Sequence, residues 1–224
     1  MLKPTKKITK KEIQRDPFLE TVDKAQTYFE EKKNLLFLLL AGIVVFIMAF
    51  NFYGEKRGIK DAQASAALGQ ALVALDRGDV DNALFQFETI LSEYKGTAAS
   101  EQAEYHIGKQ KYESGDYESA KSYLSSFLSA KPVDIMLPST STMLANIAMI
   151  EEDTKNSLSY FDRAIRATTD KHIKRMVTIR KADFNYSIGN IDDAKSLAKG
   201  ILSEKDITPV ERQAAEELLG KISS

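Results

Sequence analysis

Two hydrophobic patterns follow one another along the chain. From Leu35 to Phe50 every residue is apolar or glycine, and only Asn51 interrupts before Phe52 and Tyr53. No charge falls between Lys33 and Glu55. At about 1.5 Å per helical residue the stretch spans roughly 28 Å, close to the ~30 Å hydrocarbon core of a bilayer. In lipid a backbone must satisfy its own hydrogen bonds, and a helix does so within one segment. The pattern predicts a single transmembrane helix. A buried core helix would keep a polar face, and this run has none. A cleaved signal peptide has a short leading region and a small-x-small cleavage site. Here 34 residues precede Leu35, and Phe52-Tyr53-Gly54-Glu55 closes the run. An uncleaved signal-anchor fits better.

Beyond Asp61 the pattern becomes short amphipathic stretches that repeat. GDVDNALFQFETIL begins at Gly78, GDYESAKSYLSSFL at Gly115, EDTKNSLSYFDRAI at Glu152 and GNIDDAKSLAKGIL at Gly189, so every interval is 37 residues. A small residue stands five positions into each: Ala83, Ala120, Ser157 and Ala194. Another stands seven positions before each: Ala71, Gly108, Ala145 and Ala182. Small side chains at fixed places on two successive helices let those helices approach closely. Larger apolar residues recur on the second helix at Phe87, Leu124 and Phe161, with Ala198 in the fourth unit, and at Ile90, Phe127 and Ile201, with Ala164 in the third. Each unit therefore reads helix, tight polar turn, helix. Gly78, Gly115 and Gly189 suit the position just past a helix end, where φ is positive. Glu152 takes that place in the third unit, which predicts either a different turn geometry or strain.

After the repeats, Thr208-Pro209-Val210-Glu211 supplies an N-cap, proline at the first helical position and Glu three residues after the cap. Val210, Ala214, Leu218 and Ile222 are expected to line one side of this last helix, with Glu211, Arg212, Glu216 and Lys221 toward water. The expected fold is all-α: one N-terminal transmembrane helix, then a short right-handed solenoid of eight helices plus a cap helix. The expected domains are a basic tail at 1–33, the anchor at 34–53, a linker at 54–60 and the repeats at 61–224. Gly54 and Gly58 allow either a hinge or a continued helix. Within the tail, residues 1–15 are lysine-rich without an apolar period, and Asp16-Pro17 starts a helix. Phe18, Val22, Ala25 and Phe29 form a short apolar stripe, which fits a surface-lying or partner-binding helix as well as a plain extension of the span.

Charge sets the orientation. Nine Lys and Arg precede the span, and Lys56, Arg57 and Lys60 follow it; within the nearest 20 residues the balance is four to three. The excess places the N-terminus in the cytoplasm and the repeats outside it. The basic tail also suits anionic lipid. A net charge of -1 gives no electrostatic reason to expect nucleic acid. The absence of cysteine excludes disulfides, zinc–cysteine sites and thiol catalysis. His106 and His172 stand far apart with no ligand at metal spacing, and each reads as a surface or groove histidine. Ser139-Thr140-Ser141-Thr142 after Pro138 lacks a nucleophile-elbow frame and reads as a helix start whose hydroxyls cap. Glu151-Glu152-Asp153 reads as a solvated turn. No phosphate loop and no catalytic constellation appears, so neither a cofactor nor a small-molecule substrate is expected.

Ile107-Gly108, Gly115-Asp116-Tyr117 and Ala120, with Pro132 at the terminal proline position, resemble the tetratricopeptide repeat. The usual period is about 34 residues, and the pattern here is longer. The match covers roughly 61–206. The wider layout is a tail containing Tyr28-Phe29-Glu30-Glu31, one anchor, an Ala-rich helix from Asp61 and repeats to the end. It resembles the bacterial YfgM-like family, an ancillary subunit of the SecYEG translocon. That resemblance implies a single-pass protein of the bacterial inner membrane with periplasmic repeats. The partners it implies are translocon subunits and periplasmic chaperones.

In tetratricopeptide arrays the first helix of each repeat lines the concave face. Carrying the register over by the turn spacing gives Tyr105, Lys109, Tyr112, Asn146, Met149, Asp183 and Tyr186 as candidate groove residues. Such a face could hold an extended peptide or a partner helix. Tyr112, Met149 and Tyr186 fit packing between helices at least as well. The expected function is a non-enzymatic, membrane-tethered protein-interaction scaffold of the envelope. The alternatives are a scaffold in cell-wall or outer-membrane assembly and, with no residues to support it, an envelope enzyme bearing repeats.

Overall fold

The structure, a computed structural model, describes residues 17–130 and 134–223. The lysine-rich stretch at 1–15, the N-cap at Asp16, the side chain of Phe18 and Pro132 lie outside the described residues. Among the described residues there are nine α-helices, one 3-10 turn and no strand. The chain divides into two units, Met1–Ile59 and Lys60–Ser224.

The first unit is helical from Pro17, where α1 (Pro17–Asp76) begins. The backbone through Gly54 and Gly58 is helical as well, the second of the two conformations those glycines allow. The apolar run is exposed on every side: Leu38, Phe46 and Phe50 are each about 70% accessible. This is one helix long and apolar enough to cross a membrane. At the polar end of the run Phe52 and Tyr53 meet edge to face, and Lys56 Nζ lies 4.6 Å from the centre of the Phe52 ring.

The second unit is a series of helical hairpins. The end of α1 pairs with α2 (Val80–Glu93), α3 (Ala98–Glu113) with α4 (Tyr117–Ser129), α5 (Leu137–Ile150) with α6 (Thr154–Ala167), and α7 (Lys171–Ser187) with α8 (Ile191–Leu202). The last helix, α9 (Pro209–Ser223), packs on α7 and α8. These are the eight repeat helices and the cap read from the sequence.

The four turns are built alike. At the second, the Gly115 N–H donates to the Tyr112 carbonyl at 3.2 Å and the Asp116 N–H to the Lys111 carbonyl at 2.9 Å. The equivalent pair recurs at Gly78–Asp79, Glu152–Asp153 and Gly189–Asn190. This is the Schellman arrangement, which satisfies the last carbonyls of the first helix. It needs a left-handed residue, and φ is 79°, 82° and 82° at Gly78, Gly115 and Gly189. Glu152 adopts φ 59°. The third turn thus keeps the common geometry and carries strain, because the shared hydrogen bonds dictate the backbone whatever the residue. The next residue starts the second helix. Asp116 and Asp153 each accept a backbone N–H three residues on, from Ser119 and Asn156, and bonds from those two residues hold both carboxyls below the usual carboxylate range.

The small positions do what the pattern requires. Ala71, Ala83, Ala120, Ala145, Ser157, Ala182 and Ala194 are fully buried. At Gly108 an added Cβ would lie 2.8 Å from Leu124 Cγ and Cδ2, so only glycine admits α4 this closely. Phe87, Phe127 and Phe161 fill the space between helix pairs and are at most 1% exposed. Each such side chain stabilises the fold by about 1.5–3 kcal/mol. Tyr123 packs back against the first cluster, and Tyr160 joins the second to the third. The core is therefore shared by neighbours along the series.

Two local expectations are corrected. Thr140 and Thr142 do not cap α5; their hydroxyls donate to the Met136 and Pro138 carbonyls at 2.8 Å, because Leu137 already begins the helix and they sit inside its first two turns. On α9 the capping box forms: the Thr208 N–H donates to Glu211 Oε2 at 2.7 Å and the Glu211 N–H to Thr208 Oγ1 at 3.3 Å. The helix is, however, turned relative to the expected face. Val210 is 65% exposed, whereas Glu211 and Ala215 are buried with Leu218. Glu211 turns inward because Arg175 on α7 is waiting for it.

Candidate partner-binding groove

The first helices of successive repeats, α3, α5 and α7, lie side by side, and their spacing decides which side chains meet. Tyr105 on α3 donates its hydroxyl to Ser139 Oγ on α5 at 3.2 Å. Asn146 Nδ2 on α5 donates to the Tyr112 hydroxyl on α3 at 2.9 Å. Both pairs are 34 residues apart, three fewer than the 37 that separates the turns. Three residues are close to one helical turn, about 4.5 Å of rise. Neighbours across this face are thus offset by one turn from positions equivalent in the repeat.

Stepping 34 residues again from Ser139 and Asn146 leads to Ile173 and Arg180 on α7. There, among the described residues, no hydrogen bond continues the pairing. A groove of about 400 Å³ opens in its place, lined by Pro138, Ser139, Thr142, Met143 and Asn146 of α5, by Ile173, Val177 and Arg180 of α7, and by Tyr112 and Ile135. Its wall mixes apolar and polar surface in nearly equal parts, with Ile135 81% and Ile173 42% exposed. Helix α5 carries no charged residue. Arg180 is exposed, is the one charged side chain lining the groove, and has no ion pair among the described residues.

Of the seven residues suggested by the sequence, Tyr112 and Asn146 line this groove. Tyr105 is buried beneath it, packed against Phe127 with its hydroxyl on Ser139. Lys109 stays on α3, 3.7 Å from Glu113. Met149 packs in the cluster around Phe161. Asp183 and Tyr186 lie against the cap helix instead: Asp183 pairs with Lys221 at 3.6 Å, and the Tyr186 hydroxyl donates to the Lys221 carbonyl at 3.3 Å. Carrying the turn spacing onto this face overshoots by one helical turn at α7. Ile173, Val177 and Arg180 were missed for that reason; Ile135 was missed because it stands in the 3-10 turn before α5, outside the repeat helices. Helical side-by-side packing of Tyr112 with Asn146 was the signal that would have led to Arg180.

Elsewhere, His106 stacks on Phe87 with ring centres 5.2 Å apart. Burial, and then the Lys109 charge, push its pKa below the ordinary value. His172 Nδ1 lies 2.8 Å from Glu211 Oε1, which also accepts from Arg175 Nε at 2.9 Å; Arg175 reaches Glu204 at 3.1 Å as well. Burial alone would push the Glu211 carboxyl up. The Arg175, Thr208 and His172 hydrogen bonds outweigh it and hold the pKa at about 2 instead of 4.5. This cluster fastens α9 to α7. A larger cavity of about 590 Å³ sits on the first hairpin beside Ala66, Gly69 and Val73. Ala103, Thr140 and Val177, each one repeat further than the last from Ala66, are buried. The cavity is the uncovered end of the series.

An all-α series of hairpins with a left-handed turn residue, paired small positions and a shared core defines a helical repeat protein. The chain belongs to the tetratricopeptide repeat-like domain family, whose pattern matches residues 26–197. The match takes in the apolar stretch and the repeats as far as residue 197, within α8. Domains of this family are typically non-enzymatic and mediate protein–protein interaction. No curated protein sequence matches the chain at a significant level.

Proposed function

We propose that this chain is a non-enzymatic, membrane-tethered adaptor of the bacterial envelope that holds a protein partner in the groove between α5 and α7. Residues 34–53 form the anchor, the tail at 1–33 is cytoplasmic, 54–60 leads out of the membrane, and the repeats at 61–224 work in the periplasm. The observation that carries the reading is the groove on the first-helix face of a family built for protein interaction. Anchoring supports it, because confinement to a surface raises effective concentration and lets modest contacts suffice. The aromatic pair Phe52–Tyr53 with Lys56 over the Phe52 ring suits the water–lipid boundary. The span carries no ionisable residue, which argues for placement rather than transport. The layout shared with YfgM-like proteins makes translocon subunits and periplasmic chaperones the first partners to test.

Reporter fusions after residue 60 and at the C-terminus test the compartment; a cytoplasmic signal from both would refute the periplasmic assignment. Mild-detergent purification of the full chain, with and without Asn146→Lys, tests the groove. Loss of a translocon or chaperone partner in the variant is expected, and an unchanged partner set would count against groove recognition.

A further inference from the structure

The groove reading leaves open what kind of segment fits, and the residues around Arg180 narrow it. This step rests on the groove being the binding surface. Between α3 and α5 the face is closed by two hydrogen-bonded pairs, Tyr105–Ser139 and Tyr112–Asn146. One step on, the corresponding positions are Ser139–Ile173 and Asn146–Arg180, all lining the groove, and no hydrogen bond joins either pair among the described residues. The ladder is broken by the replacement of polar partners with an isoleucine and an arginine. What it leaves is a slot with an apolar part, formed by Ile135, Met143, Ile173 and Val177, and one cation, Arg180, on its wall.

Burying an aliphatic side chain there recovers the exposure of Ile173 and Ile135, which otherwise cost the protein solvated apolar surface. A single exposed guanidinium with no ion pair among the described residues matches a single carboxylate, and an arginine presents two parallel donors to it. Asn146 lines the same groove as Arg180, with its side-chain carbonyl unused by the Tyr112 contact, so it can accept an N–H from the same segment. The groove opens to solvent at Ile135, Ile173 and Arg180, which are exposed, so a chain can reach it from outside. We infer that the slot between α5 and α7 takes an internal segment of a partner protein in which an aliphatic side chain is followed within a few residues by Asp or Glu, the aliphatic group entering beside Ile173 and the carboxylate meeting Arg180.

The test is selection from a library of random 12-residue peptides, flanked on both sides by fixed linkers, against the full-length protein in detergent micelles. Selected sequences are remade as amidated, fluorophore-labelled peptides and measured by anisotropy. Leu, Ile or Val near Asp or Glu should be enriched. Arg180→Glu should weaken these peptides by about tenfold or more and, in a fresh selection, exchange the acidic preference for Lys or Arg. Ile173→Lys, at an exposed position, should abolish binding without moving the thermal midpoint. Enrichment lacking an acid, affinity indifferent to Arg180→Glu, or binding only by peptides with a free C-terminal carboxylate would each overturn the inference. If selected peptides are instead displaced by substitutions at Tyr112 or Asn146 but not at Ile173 or Arg180, the slot is wrong and groove binding stands. If Asn146→Lys leaves all peptides bound, the groove reading itself fails.

Discussion

Glu152→Gly should stabilise the repeat unit. Glu152 sits at φ 59° in a turn whose three counterparts are glycines at 79° to 82°. An L-residue in the left-handed region costs about 1–2 kcal/mol. Glycine gives back about 0.5–1 kcal/mol through its freer unfolded chain. The Glu152 side chain has no hydrogen bond or ion pair among the described residues, so nothing else is lost. The net gain is about 0.5–1 kcal/mol, or about 1–4 °C in thermal midpoint for a unit of this size. The backbone bonds to Met149 and Ala148, at 3.1 Å and 2.8 Å, are unaffected. The mirror substitution, Gly115→Ala, meets no atom within 4 Å of the new Cβ, so only the left-handed cost and the unfolded-chain entropy change, and the same balance gives a net loss of about 0.5–1 kcal/mol. Urea midpoints of the full-length protein in micelles, followed by far-ultraviolet circular dichroism, give both numbers. A lower midpoint for Glu152→Gly, or an unchanged one for Gly115→Ala, would refute the claim that hydrogen bonding of the turn dictates φ.

Gly108→Val should destabilise by about 1–3 kcal/mol through overpacking against Leu124, read from the same urea curves. Ser157→Ala should leave stability unchanged or raise it slightly, because the buried hydroxyl has no partner among the described residues and the other three repeats carry Ala there. Arg175→Met should cost about 3–5 kcal/mol by leaving Glu211 buried without its cation; faster hydrogen exchange across α9 than across α3 would show that the cap fails first. Glu211 has its pKa lowered from 4.5 to about 2 on folding. The stability it contributes is therefore present above pH 4.5 and is lost as pH falls toward 2. Urea midpoints against pH should drop through that window, and Glu211→Gln should flatten this part of the profile.

Much of the architecture could be read without coordinates, because its requirements are local. A left-handed turn residue, a small residue where two helices cross and a large apolar one beside it must each recur in every unit. Hence the 37-residue step, the glycines and the alanines announce themselves. The all-apolar run is equally local: its length and lack of charge alone make it able to cross a membrane. The groove was legible only in part. Tyr112 and Asn146 could be named from the repeat, but the one-turn offset between neighbouring helices is a property of packing. It sets Asp183 and Tyr186 beside the cap helix, where both contact Lys221, and Ile173 and Arg180 on the groove wall. Glu211 shows the same division. The capping box was visible in Thr208-Pro209-Val210-Glu211, a contact within one turn. That its carboxylate faces inward was decided by Arg175, 36 residues earlier, and a hydrophobic pattern carries no record of a charge buried against another charge. The chain alone determined the repeating unit, since each turn must satisfy its own backbone. Tertiary structure decided which faces stay open and which ions are enclosed, since those depend on how far one helix slides along the next.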